Sequence, residues 1–180
     1  MTNRAYPLAE LIQSRRSIKQ FNTDPVSVEL LTELLNIAAW APNHGLREPW
    51  RIILFTGEGK RVLANAIVEA SKKGDPEALA LIPAFLLIAV KQDPRQKERE
   101  EDYAAACTFI QNFQLASWER GLGAAWKTGA YIFNPQFLDT VGVNAGEKLV
   151  GVLQVGYPLT TPEARSRTTI EQKLTIIDQG

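Results

Sequence analysis

A sheet covered by helices, of the α/β or α+β class and forming one domain over residues 1–180, is predicted by three observations. Helical and strand patterns alternate along the chain. A continuous apolar run at 52–55 and two largely apolar stretches at 85–90 and 148–156 have the look of strands buried on both faces. No linker, internal repeat or low-complexity segment divides the 180 residues, and a hydrophobic content of 45% suffices for one core or for one shared with a partner.

The elements follow in order. Leu8, Leu11 and Ile12 recur at helical spacing, so a short helix over 7–15 exits into the basic cluster Arg15, Arg16, Ser17, Ile18, Lys19. Ser27 suits an N-cap, and Leu30, Leu31, Leu34, Leu35 and Ala38 make one stripe of a second helix that ends before Pro42. "APNHGLREP" then breaks regular structure. The run at 50–56, between Pro49 and Gly57, is expected to be a strand buried on both faces, followed by a helix over 58–73 that Gly74-Asp75-Pro76 closes. After the strand at 85–90, the charged stretch 91–101 leads into a long helix of about 103–120, whose alanine-rich first half lets another helix approach. Gly121-Leu122-Gly123 ends it, "AAWKTGA" crosses toward the core, Pro135 starts a short helix, and 148–156 is the third buried strand. "EQKLTII" is a fourth extended candidate. Residues 157–169 lack any core rhythm, and the apolar tail beyond them is expected to pack on something other than its own core.

Twenty Lys+Arg balance twenty Asp+Glu, so no global field draws the chain to nucleic acid or to an anionic membrane, and any anion site must be local. No charged-then-apolar leader opens the chain, and no apolar run approaches the ~18 residues of a membrane span. A cytoplasmic protein is expected. The one cysteine, Cys107, has no disulfide partner and is expected in the core; with the one histidine, His44, it cannot build a zinc cluster, and no metal is expected. "GEGK" at 57–60 lacks P-loop spacing and no G-x-G-x-x-G follows a strand, which argues against a Rossmann dinucleotide fold.

The basic cluster has two readings. Two guanidinium forks, a hydroxyl and an ammonium in one small volume suit a phosphate. The same cations would also complement the helix C-terminus that precedes them. Trp50 and Trp118 read as packing. Trp40 and His44 flank the "APNH" turn, and Trp126 precedes Lys127-Thr128-Gly129. A flat heteroaromatic cofactor with a phosphate tail would use these residues together with the cluster, and a glycine where the backbone nears the ring.

Four blocks, in order and spanning nearly the whole chain, carry a resemblance: "RRSIKQF", "AAWAPNHGLREPWRIILFTGEG", "ERGLGAAWKTGAY" and "KLVGVLQVGYP". The sequence resembles the flavin-dependent nitroreductases, most closely a short bacterial subgroup with histidine in the "AP-x-H" turn. The resemblance implies an α+β fold with a central, mostly antiparallel sheet flanked by helices. It also implies a C-terminal extension packed on the partner of a homodimer, and two non-covalent FMN molecules shared between the subunits. The activity implied is a ping-pong oxidoreductase that takes hydride from NAD(P)H and reduces nitroaromatics, quinones or similar acceptors. By similarity Arg15, Arg16 and Ser17 would hold the FMN phosphate and ribityl chain, with Lys19 near the ring. Trp126, Lys127, Thr128 and Gly129 would line the ring, and Trp40 and His44 would reach it from the other subunit. Arg165 and Arg167 match a P-x-x-R-x-R element that completes the phosphate site, although Thr168-Thr169 stands where relatives carry proline. Ser117, Trp118, Glu119, Arg120 and Gly121 match a segment that touches the nicotinamide nucleotide. No catalytic acid or base is implied, since the cofactor carries the chemistry, and Lys19 or Lys127 would supply positive charge near its pyrimidine end. The alternatives are a superfamily flavoenzyme with a non-nitro reaction (oxidase, dehalogenase or flavin fragmentation) and a non-catalytic phosphate- or flavin-binding module.

Overall fold

The computed structural model of the protein describes residues 7–178. Helices α1 (Pro7–Ser14) and α2 (Val28–Ala38) precede β1 (Trp50–Phe55), α3 (Gly59–Ser71) and α4 (Pro76–Ala80). Then come β2 (Ala84–Lys91), α5 (Gln96–Glu119), β3 (Gly123–Lys127), α6 (Pro135–Thr140) and β4 (Glu147–Gly156). The four strands form one antiparallel sheet in the order β1-β2-β4-β3, an α+β architecture.

Short side-chain caps start several helices. The Ser27 hydroxyl accepts the Leu30 N–H of α2 at 3.1 Å. Asn134 accepts the Phe137 N–H at 3.0 Å, with Pro135 pre-set in the first turn of α6. The same device at Asp75-Pro76, where Asp75 accepts the Glu77 N–H, makes α4 out of a segment that the sequence reading treats only as the end of α3.

β2 is buried on both faces because helices cover both. Leu86, Ile88 and Val90 meet Leu31 and Leu34 of α2 and Phe109, Ile110 and Phe113 of α5. Phe85 and Leu87 meet Leu63 and Ile67 of α3, Phe137 of α6 and Val141 just after it. β1 departs from the expectation: it is an edge strand, half-buried along its length, since only β2 lies beside it. Trp50 nevertheless stacks on Phe109 with ring centroids 4.9 Å apart, in keeping with a packing role.

Three further expectations are corrected. α5 begins at Gln96 rather than near 103, because its charged first turns carry no apolar stripe and its buried positions start only at Asp102 and Ala105. The fourth strand is β3, read in sequence as a crossing; five residues with three small ones are too few to display an alternation. "EQKLTII" forms no strand but a 3₁₀ turn at Ile170–Gln172, and Leu174, Ile176 and Ile177 lie exposed beyond it. Cys107 is half-buried against the α2–α5 side of the core, where burial pushes its thiol pKa up. Among the described residues no helix is long and apolar enough to cross a membrane.

One irregularity has a local purpose. Ile88 lies opposite Gly151 but Ala89 opposite Leu149, so Val150 is an extra residue in β4, a β-bulge. Its carbonyl accepts the Trp126 Nε1–H of β3 at 3.3 Å. The indole lies where a side chain at Gly151 would be, since a Cβ there would overlap it. The bulge thus fixes the ring of Trp126 on the sheet.

Candidate functional site

After α1 the chain turns along the free edge of β3. The Ile18 N–H donates to the Ala124 carbonyl at 3.1 Å, Ser17 bridges Ala124 in parallel register, and the Ile18 side chain is fully buried. This close approach needs Gly123, where a Cβ would overlap Ile18. Gly123→Ala is therefore expected to lower stability by roughly 1–3 kcal/mol, the usual cost of overpacking, and to loosen the Arg15–Lys19 segment; a denaturation midpoint unchanged from wild type would contradict this.

Beyond β4 the chain returns to the same segment. Asn22 N–H donates to the Tyr157 carbonyl at 3.0 Å, Leu159 N–H to the Gln20 carbonyl at 2.9 Å, and the Thr160 hydroxyl to Gln20 Oε1 at 2.9 Å. These bonds anchor the tail so that Arg165 and Arg167 come back over Arg15. The result is a cavity of about 890 Å³ whose lining includes Arg15, Arg16, Ser17, Lys19, Arg165 and Arg167, with Glu163 the only acidic group among the described lining residues.

The two readings of the basic cluster divide between its arginines. Arg16 folds back on α1, its Nη1 donating to the Gln13 and Arg15 carbonyls at 2.7 and 2.9 Å, which is helix C-capping. Arg15 does not. Its Nη1 is buried with no hydrogen-bond partner. Burial first, then Arg16 and Arg167, hold its guanidinium pKa below the ordinary value. Buried donors are almost always paired, so an orphaned guanidinium nitrogen among like charges suits an anion. A flavin mononucleotide phosphate meets that requirement: it brings negative charge and acceptor oxygens to a cavity whose own groups are nearly all donors.

A second cavity, about 610 Å³, adjoins the first by sharing Lys19 and Gln20. Lys127 of β3, Tyr131, Gln154 of β4, Lys73 and Asp75 line it beside apolar Ile67, Leu79, Ile82 and Leu159. Sequence reasoning missed Gln20, Tyr131 and Gln154 as lining residues. The one legible signal was Gln154, a lone polar residue inside the apolar run of β4. Trp126 is half-buried, and Thr128 and Gly129 are exposed just past the end of β3.

Other candidates stand apart. Trp40 and His44 are exposed in the α2–β1 connection and line neither cavity of their own chain. Ser117 is fully buried with its hydroxyl unpartnered, Trp118 donates to the Ser14 hydroxyl at 3.1 Å, and Arg120 pairs with Glu33 at 2.6 Å. Glu119 and Gly121 are exposed at the end of α5. Among the described residues no group of three or more His, Cys, Asp or Glu could hold a metal ion.

Comparison with known proteins gives a consistent result. The profile of the nitroreductase family matches residues 12–157. The chain is 36% identical to YfhC of Bacillus subtilis, provisionally named an NAD(P)H nitroreductase, over 93% of each chain. A nitroreductase-like family protein from Bacillus cereus superposes with a TM-score of 0.89 at 41% identity, covering 99% of this chain and all of that one. A Desulfovibrio desulfuricans protein solved with FMN superposes with a TM-score of 0.80 at 22% identity, over 98% of this chain and all of its own, which speaks for the fold.

Proposed function

The chain belongs to the nitroreductase family, and from that premise we propose that it is a homodimeric, FMN-dependent NAD(P)H oxidoreductase that reduces nitroaromatics, quinones or similar acceptors. The observation that carries the reading is Arg15, half-buried, whose Nη1 is buried without a hydrogen-bond partner among arginines from both ends of one chain. FMN, when bound, accepts hydride from the nucleotide and passes electrons to the acceptor.

The residues of this chain bind and orient. Arg15, Arg165 and Arg167 take the phosphate by charge-assisted hydrogen bonds, Ser17 adds a hydroxyl, and Arg16 contributes charge while it caps α1. Lys19 stands between the two cavities, and Lys127 lies across the second. Together they supply positive potential to the ring, while Gln154 offers a donor and an acceptor to its polar edge. Trp126, anchored on the Val150 carbonyl, packs on the α2–α5 side of the sheet and, like Thr128 and Gly129, lines neither cavity of its own chain; its part is to fix β3, whose last residue is Lys127. Ile67, Leu79, Ile82 and Leu159 give the second cavity an apolar side for the ring to lie against. No side chain of this chain has to move a proton for hydride transfer, since the cofactor carries that chemistry.

Trp40 and His44, exposed in their own chain, are assigned to the FMN site of the partner subunit, and the exposed apolar end of the tail to the partner's surface. The segment 117–121 is assigned to the nucleotide, with the exposed Glu119, Arg120 and Gly121 as its accessible members.

The purified protein is expected to bind one FMN per chain and release all of it on denaturation. Initial rates against nucleotide at several fixed acceptor concentrations should give parallel lines, as donor and acceptor take the same position in turn. A protein that stays colourless with excess FMN defeats the assignment; convergent lines defeat the shared position while leaving the cofactor.

A further inference from the structure

Among the described residues only three non-glycine positions have left-handed backbone, and two of them, Leu46 (φ 50°) and Glu48 (φ 44°), lie in the connection between α2 and β1, beside Gly45 (φ 63°). The third, Lys72, is a helix C-cap, where that conformation is ordinary. Neither leucine nor glutamate favours it, so something must hold the loop there. Arg47 is the evident holder. Its Nε donates to Asp102 Oδ1 at 2.8 Å and its Nη2 to Glu101 Oε2 at 3.0 Å, and Asp102 is buried in α5. Asn43 adds a second tie, accepting the Glu48 N–H at 2.9 Å and donating to the Ala41 carbonyl at 3.1 Å.

The loop is clamped from inside and presents large groups outside. Trp40 is 89% exposed and Leu46 81%, with His44 exposed between them. Strained backbone persists where its surroundings over-determine it, and such strain gathers at ligand clamps.

We propose that Arg47 is a positioning residue for the flavin site of the second subunit. Its paired bonds to Glu101 and Asp102 keep residues 45–48 in the one conformation that aims Trp40 and His44 at the partner's cavity. The proposal rests on the shared-site reading above. Arg47 itself touches no ligand; it acts through the loop.

The test uses flavin-free and flavin-loaded dimers. Arg47→Ala is expected to speed amide exchange around Glu48 by about tenfold or more without changing β2 and β4, and to weaken FMN binding about tenfold. Adding Leu46→Gly and Glu48→Gly to Arg47→Ala should recover most of that affinity, because glycine adopts the left-handed conformation without penalty. An ion pair that merely stabilised α5 would not be rescued this way. Should Arg47→Ala fail to fold, Asp102→Asn tests the same clamp at constant volume. Wild-type affinity and exchange in Arg47→Ala, or no rescue by the glycines, overturns the proposal. If Trp40→Ala with His44→Ala also binds FMN normally, the shared-site reading falls with it; if that variant is impaired and Arg47→Ala is not, only the positioning role falls.

Discussion

Replacing Arg15 by glutamine is expected to weaken FMN binding roughly tenfold to a hundredfold, the loss of a charge-assisted hydrogen bond of about 1.5–3 kcal/mol. In the flavin-free protein the same substitution should raise the melting temperature rather than lower it. The sign follows from the lowered pKa: burial, Arg16 and Arg167 make the folded state a worse place than water for the charged guanidinium. Removing the charge removes that burden. The gain should shrink as salt screens the repulsion. Lys72→Glu, a charge reversal at an exposed helix end, serves as the control and should leave affinity unchanged. Equal affinities of wild type and Arg15→Gln would return Arg15 to an ordinary surface role, and a fall in flavin-free stability would contradict the electrostatic account.

Mixed dimers should recover what neither parent retains. One chain carries Arg15→Glu and the other, differently tagged, Trp40→Ala with His44→Ala. Under the proposed shared site each homodimer is damaged at both flavin sites. In the heterodimer one site collects every lesion, while the other draws Arg15 from the second chain and Trp40 and His44 from the first, all native. An isologous dimer therefore predicts return to about half of wild-type occupancy and turnover. Heterodimers that do no better than the average of their parents would mean that these residues act within one chain.

Much of the architecture was legible because local chemistry and burial agree. The stripe from Leu31 to Ala38, the Ser27 cap and the doubly buried run of β2 each announce themselves within ten residues or so. The errors have the opposite cause. Trp50–Phe55 is as apolar as β2, and composition cannot tell an edge strand from a central one. The charged turns at 96–101 hide the start of α5. The bulge at Val150 leaves an uninterrupted apolar run and is visible only in the register against β2. In the site, "RRS" stood out, but which arginine caps the helix and which is left unpartnered depends on rotamers and on Arg167, some 150 residues away. Arg47 gave no signal at all, since its partners lie beyond fifty residues and its effect is on backbone angles.

The path of the chain after β4 has a thermodynamic consequence. The same twenty residues are tied to Gln20 at their start, carry Arg165 and Arg167 in their middle and expose Leu174, Ile176 and Ile177 near their end. An anion that fixes the middle restricts the end, and a surface that captures the end restricts the middle. In the proposed dimer, cofactor loading and subunit association are then two handles on one ordering event. Reciprocity makes them equal: the factor by which FMN tightens the dimer is the factor by which dimerisation tightens FMN. Dilution alone would then discharge the flavin, with no residue of the cavity altered.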